Sequence, residues 1–144
     1  LGDVYKRQNQ FFKELMQQYV APSRLRFIFT AHIDSELNEE SGQKEVYVPV
    51  KGALKRNGVE AFFSVIVAAV KMPLKKLKGY ENDLLEITPR EEKLGFKHVY
   101  QTQTTKDTLG DRLRGPFDMW EIEETYIDNN AQNLLDVLDD YYGK

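Results

Sequence analysis

Ser64-Val65-Ile66-Val67-Ala68-Ala69-Val70 is β-branched and almost wholly apolar, and it limits the fold more sharply than any other stretch. β-branched side chains favour a pleated sheet surface over a helix. A run that is apolar at nearly every position has no face to give to water, so it reads as a central strand covered on both sides. The wider apolar run, Ala61 to Val70 broken only by Ser64, is far shorter than the ~20 residues of a membrane-spanning helix.

The flanking segments supply helices and further strands. Phe11, Phe12, Leu15, Met16, Tyr19 and Val20 recur at helical spacing; Asn9 is placed to cap that helix and Pro22 to stop it. Leu25 to Ile33 reads as a second buried strand of a parallel sheet. Asp34 to Glu45 is polar, with Ser41-Gly42 within it, and reads as a solvated loop or hairpin tip. Val46 to Val50 alternates weakly, and Pro49 confines it to an edge or an extended segment. Lys51 to Arg56 reads as one or two helical turns ended at Asn57-Gly58, or as a hairpin turning on that dipeptide.

Beyond Val70, Pro73 should stop the strand. Thr88-Pro89-Arg90-Glu91 predicts a helix start and Gly95 its close. Phe96 to Thr102 alternates as a third strand. After a Gly-, Arg- and Pro-containing loop from Thr105 to Pro116, a last helix starts at Asn129. Leu134, Leu135, Val137, Leu138, Tyr141 and Tyr142 form its apolar face, and Gly143 its C-cap. The order predicts a layered α/β protein.

Composition narrows the chemistry. A net charge of −3 gives no general attraction to nucleic acid or anionic membrane, so any such binding needs a local patch. The absence of cysteine removes disulfides, thiolate chemistry and cysteine-bound zinc, and fits a reducing, cytoplasmic compartment. The opening Leu1-Gly2-Asp3-Val4-Tyr5-Lys6-Arg7-Gln8 has no Met start and no periodicity, and resembles translated adapter sequence. Residues 1–8 are therefore expected to be a non-native leader and 9–144 the domain proper.

Thr30 and His32 share one face at the carboxyl end of the Leu25 to Ile33 strand, where parallel sheets bind ligands. They are placed to sense a nucleotide γ-phosphate or its attacking water; a strand end turning polar as it meets solvent has the same pattern. Three ordered segments resemble the second half of a RecA-like P-loop ATPase core of the phage recombination and nucleotide-binding type. They are Arg26-Phe27-Ile28-Phe29-Thr30-Ala31-His32; Gly52-Ala53-Leu54-Lys55 followed by Ala61-Phe62-Phe63-Ser64-Val65; and Val99-Tyr100-Gln101-Thr102 through Lys106, Arg112, Arg114, Gly115, Pro116 and Phe117.

The resemblance implies a mostly parallel sheet with flanking helices and C-terminal closing strands. It implies ATP and Mg²⁺ in the intact protein, self-association as a ring or filament, and action on single-stranded DNA in a bacterial or phage-infected cell. Thr30 and His32 would be sensor residues. Lys106, Arg112 and Arg114 would be cations offered to a neighbouring subunit's phosphoryl group, although surface cations of a solvated loop look the same. No GxxxxGK[ST] occurs in the chain, so the phosphate cradle cannot be assigned, the P-loop part is expected upstream, and the fragment alone should bind ATP weakly.

Two readings from other classes stand beside this one. Lys71, Lys75, Lys76 and Lys78, with Tyr80 nearby, can track a nucleic-acid backbone as a non-enzymatic binding or annealing module; a solvated helix face is the plainer explanation. Phe117, Trp120, Tyr126, Tyr141 and Tyr142 can dock a protein partner, or serve as half-exposed core. The acidic stretches Asp118 to Asp128 and Asp136 to Asp140 look like solvated surface. His32 and His98, the only histidines, lie on different strands, so no metal site is expected. No GxSxG or cysteine nucleophile is present.

Overall fold

A computed structural model describes residues 2–50 and 58–143. The chain divides into two compact units, Leu1–Phe63 with Gly110–Arg112, and Ser64–Leu109 with Leu113–Lys144. Both mix helices with small sheets, so the chain is α/β. Every strand pairing among the described residues is antiparallel, which corrects the expectation of a mostly parallel sheet.

In the first unit, helix α1 spans Gly2–Glu14 and continues as a π-helical turn over Leu15–Val20. The helix therefore takes in residues 2–8. No proline interrupts that stretch, and Asp3 in the first turn suits the positive end of the helix dipole. Asn9 lies inside the helix rather than capping it. The wide turn ends with Ala21 N donating to Met16 O at 2.8 Å, and Pro22 follows as expected. Phe12 meets Phe62 edge-on at 5.3 Å and Phe29 meets Phe63 at 5.2 Å.

Asp34–Leu37 (β1) and Lys44–Tyr47 (β2) form a hairpin, with Leu37 opposite Lys44. The polar segment is thus both strand and tip, and Asn38 Oδ1 accepts from the amides of Glu40 and Ser41 to shape the turn. Residues 26–33 adopt no regular structure. Leu25, Phe27, Ile28, Phe29 and Ile33 are exposed, Leu25 by 74% and Ile33 by 60%. The strand expected there is absent because none of the described strands pairs with it. The expected turns at Lys51 to Arg56 and the Gly52-Ala53-Leu54-Lys55 motif lie outside the described residues.

In the second unit a three-stranded sheet has the order β3-β4-β5, built from Ala68–Pro73, Phe96–Gln101 and Tyr126–Asp128. Helix α2 (Leu74–Leu77) follows β3, α3 (Pro89–Leu94) precedes β4, and α4 (Ala131–Tyr142) ends the chain's described part. β3 begins four residues later than the apolar run suggested and continues through Lys71 to Pro73. Its residues alternate between half-buried and exposed, the pattern of a sheet with one solvated face rather than of a buried parallel strand. An edge strand tolerates the terminal proline. Ile66, upstream, makes an isolated antiparallel bridge with Arg114.

Two apolar clusters clothe the sheet. Leu77, Val99 and Tyr126 pack with Val70, Met72, Leu74, Tyr80 and Leu85 on one face. Met119, Trp120 and Ile127 pack with Val65, Tyr100 and the α4 residues Leu134, Val137, Leu138 and Tyr141. Helix α3 forms as its sequence dictates: Thr88 Oγ1 accepts from Glu91 N while Glu91 Oε2 accepts from Thr88 N at 2.8 Å. Gly95 closes it at φ 75°, a left-handed conformation that glycine adopts without a Cβ penalty. Asn130, one residue later than expected, caps α4 by accepting from Gln132 N.

Candidate functional site

The sensor pair is not assembled. Thr30 and His32 are exposed in the irregular segment 26–33, so no strand end presents them to a ligand. The loop cations are separated by their surroundings. Arg112 Nη1 lies 3.3 Å from Glu60 Oε2, with its guanidinium 5.7 Å from the Tyr47 ring centre. Glu60 is buried, and its other oxygen accepts from Val48 N at 2.9 Å. Arg112 therefore neutralises a buried carboxylate within the first unit. Gly110 O accepts from Val46 N at 3.0 Å, and an added Cβ at Gly110 would run into the Lys44 carbonyl. That close approach is why glycine stands there.

Arg114 and Lys106 belong to the second unit and are exposed. The Arg114 backbone exchanges two hydrogen bonds with Ile66, at 2.8 and 3.1 Å, so its position is fixed by the main chain. At the start of the loop, buried Gln101 donates to Gln103 O and Thr108 Oγ1, both at 2.8 Å.

The lysine patch is the group of predicted residues that the fold brings together with new neighbours. Lys71 stands opposite His98, and Pro73 opposite Phe96, in the β3–β4 pairing. Lys71, His98 and Phe96 therefore share one sheet face. Lys71 Nζ rests 3.8 Å from the centre of the Phe96 ring, and His98 meets the same ring edge-on at 5.7 Å. Lys75, Lys76 and Lys78 follow on and after α2, all exposed. Lys76 lies 3.8 Å from Asp107, a contact between two exposed groups. Tyr80 turns the other way and packs against Tyr126 at 4.9 Å.

Sequence reasoning missed the most buried charge among the described residues. Lys97 Nζ lies 2.7 Å from Glu91 Oε1 and 3.1 Å from Asp128 Oδ1, its side chain only 8% exposed. Burial alone would raise the Glu91 carboxyl pKa, but hydrogen bonds from Lys97 and Thr88 and the lysine's charge outweigh that and hold it at about 2. Burial would likewise lower the Lys97 ammonium, and its two carboxylate partners more than reverse this, raising it. Asp128 thus leaves the solvated acidic stretch to which its sequence context assigned it. The signal was available: Lys97 sits at an inward position of an alternating strand.

Of the aromatic anchors, Trp120 and Tyr126 are buried core, whereas Phe117 is fully exposed and Tyr142 half so. Tyr141 donates its hydroxyl to Asp118 at 2.6 Å. Among the described residues no group of three or more His, Asp or Glu side chains is placed to hold a metal ion, and no helix is long and apolar enough to cross a membrane. Comparison with protein-family models, curated proteins and solved structures finds no match for the chain.

Proposed function

We propose that this chain is the C-terminal part of a RecA-like P-loop ATPase of the phage recombination type. The observation that carries the reading is the exposed apolar stretch at residues 25–33, which has the composition of a buried strand and, among the described residues, no strand paired with it. A segment containing Leu25, Phe27, Ile28, Phe29 and Ile33 carries a lasting hydration penalty for its apolar surface in water. Further strands of a parallel sheet would remove that penalty, with residues 25–33 and the apolar run before β3 inside it. The antiparallel β3-β4-β5 sheet then takes the place of the closing strands.

ATP and Mg²⁺ belong to the intact protein in this reading. The residues present here do not fit them: there is no GxxxxGK[ST] and no carboxylate cluster among the described residues. This chain's share would be the sensor segment with Thr30 and His32, and the subunit-contact loop. Lys106, Arg112 and Arg114 are the candidates for a cation acting across a subunit boundary, and Arg112 would first have to leave Glu60. Self-association, action on single-stranded DNA and a cytoplasmic setting are parts of the same proposal.

Sequencing the gene across codon 9 and reading the frame upstream tests it. A GxxxxGK[ST] on a strand-to-helix turn is the expected result. A start codon immediately before Asn9, with no such loop, overturns it. A second reading, a single-stranded nucleic-acid-binding module on Lys71, Lys75, Lys76 and Lys78, is favoured by one observation: Lys71 lies over an aromatic ring on a solvated sheet face. Salt-dependent binding without ATP is its signature.

A further inference from the structure

The strands of the second unit share out their main-chain groups by alternation. Leu74 N donates to Gly95 O at 3.1 Å, in register with the β3–β4 pairing, so the even-numbered residues of β3 bond to β4. Thr102 N donates to Thr125 O at 3.0 Å, so the even-numbered residues of β4 bond to β5. Tyr126 and Asp128 then face the outer edge of β5, and that edge is occupied. Asp128 N donates to Leu84 O at 2.8 Å, and Tyr126 O accepts from Asn82 Nδ2 at 3.0 Å.

The outer edge of β3 is open. Ala69 and Lys71 turn their N–H and C=O groups to it, and so does Val67, because Ile66 bonds to Arg114 with the parity of the inner residues. Among the described residues no group meets these donors and acceptors. An unpaired edge is a template for another strand. Lys71, the one charge on β3, guards it poorly, since its Nζ lies 3.8 Å from the Phe96 ring centre, over its own sheet. Pro73 lacks an N–H but stands at the strand's end.

We infer that the outer edge of β3 is a strand acceptor, and that in this chain a second copy fills it, β3 against β3 and antiparallel. The edge is complementary to itself with Ala69 on the two-fold axis. Ala69 exchanges hydrogen bonds with the second copy's Ala69, and Lys71 with the second copy's Val67. Small side chains meet at the axis, and Lys71 faces an apolar residue instead of another charge. On the other face Val70 meets the second copy's Ala68 and Met72 its Ile66, all half-buried in the single chain. An axis at Lys71 would oppose two lysines and set Ala69 against Pro73. Because the β5 edge is occupied, growth through this sheet stops at a dimer. In the ATPase proposal a further strand of the intact protein would take the same edge, so the inference is made for this chain and is decided separately.

The test is amide hydrogen exchange with sedimentation, on the full wild-type chain and on the Leu25→Lys, Ile28→Lys variant, in which the apolar stretch does not mask the edge. Samples run from about 10 μM to about 1 mM, the range of a weak contact. The Ala68 and Val70 amides, bonded to β4, should exchange slowly throughout. The Ala69 and Lys71 amides should exchange fast when dilute and slow at least about tenfold as the dimer forms. Ala69→Pro removes an outward N–H without touching the β4 ladder, and should weaken dimerisation at least about tenfold with an unchanged circular dichroism melt. Val67→Lys opposes two lysines and should weaken it several-fold, and adding Lys71→Glu should restore it.

Exchange at Ala69 and Lys71 that does not change with concentration, fast or slow, overturns the proposal. So does full dimerisation in Ala69→Pro, or no rescue when Lys71→Glu joins Val67→Lys. If Ala69→Pro fails to fold, the rescue pair decides alone. The upstream reading frame decides the ATPase proposal, and neither result bears on the other.

Discussion

Lys97 shows what one residue can decide. A lysine inside a sheet cluster needs its charge met, and Glu91 and Asp128 meet it from α3 and β5, joining two elements far apart in sequence. Replacing it with Met leaves two partly buried carboxylates facing each other, and urea unfolding should register a loss of about 3 kcal/mol. Glu91 has a folded pKa of about 2 against 4.5 in the open chain. Its contribution is fully present above pH 4.5 and is lost as pH falls through 2. The linkage amounts to about 3 kcal/mol at neutral pH and about 1 by pH 2.5. Glu91→Gln should therefore be clearly less stable than wild type at pH 7, and the gap should narrow to about that smaller figure in acid. Arg112 follows similar logic in the first unit. Arg112→Ala strands the buried Glu60 carboxylate and should destabilise that unit by about 2 kcal/mol.

Local elements were legible where the signal is local. Helix α3 is specified by Thr88, Pro89, Glu91 and Gly95 within eight residues, and all four act as their chemistry predicts. Thr88→Ala should cost about 1 kcal/mol and Gly95→Ala about 1 kcal/mol or slightly more, measured by urea unfolding of the full chain. The alternation of Phe96 to Gln101 and the apolar stripe of α4 were equally readable. β3 was not, because its position depends on partners: the sheet pairs Ala68–Pro73 with β4 and leaves Ser64 to Val67 outside the ladder except for the Ile66 bridge. The polar hairpin β1–β2 is held partly by Gly110, which is distant in sequence. Gly110→Ala should push the loop from Lys44 and break the Val46–Gly110 hydrogen bond, read as faster exchange of the Val46 amide.

At the scale of the molecule, the two units differ in how well each satisfies itself. The second buries Val99 and Ile127 completely and places helices on its sheet. The first leaves the apolar side chains of residues 25–33 in water. Concentration-dependent association and strong binding of a hydrophobic dye are the expected behaviour, and Leu25→Lys with Ile28→Lys should reduce both. If the wild-type chain sediments as a monomer at all concentrations and binds no dye, the stretch is not the unpaired strand that the ATPase proposal requires. By itself the sequence determined the α/β class, the capped helix α3 and the alternating strand, because caps and periodicity act within a few residues. It also held the lysine run and the sensor-like Thr30 and His32 as candidates. Tertiary structure alone decided that the described strands pair antiparallel, that Arg112 is engaged by Glu60, and that Lys97 sits between two carboxylates. Those outcomes turn on strand partners and on charges distant along the chain, which periodicity and capping do not encode.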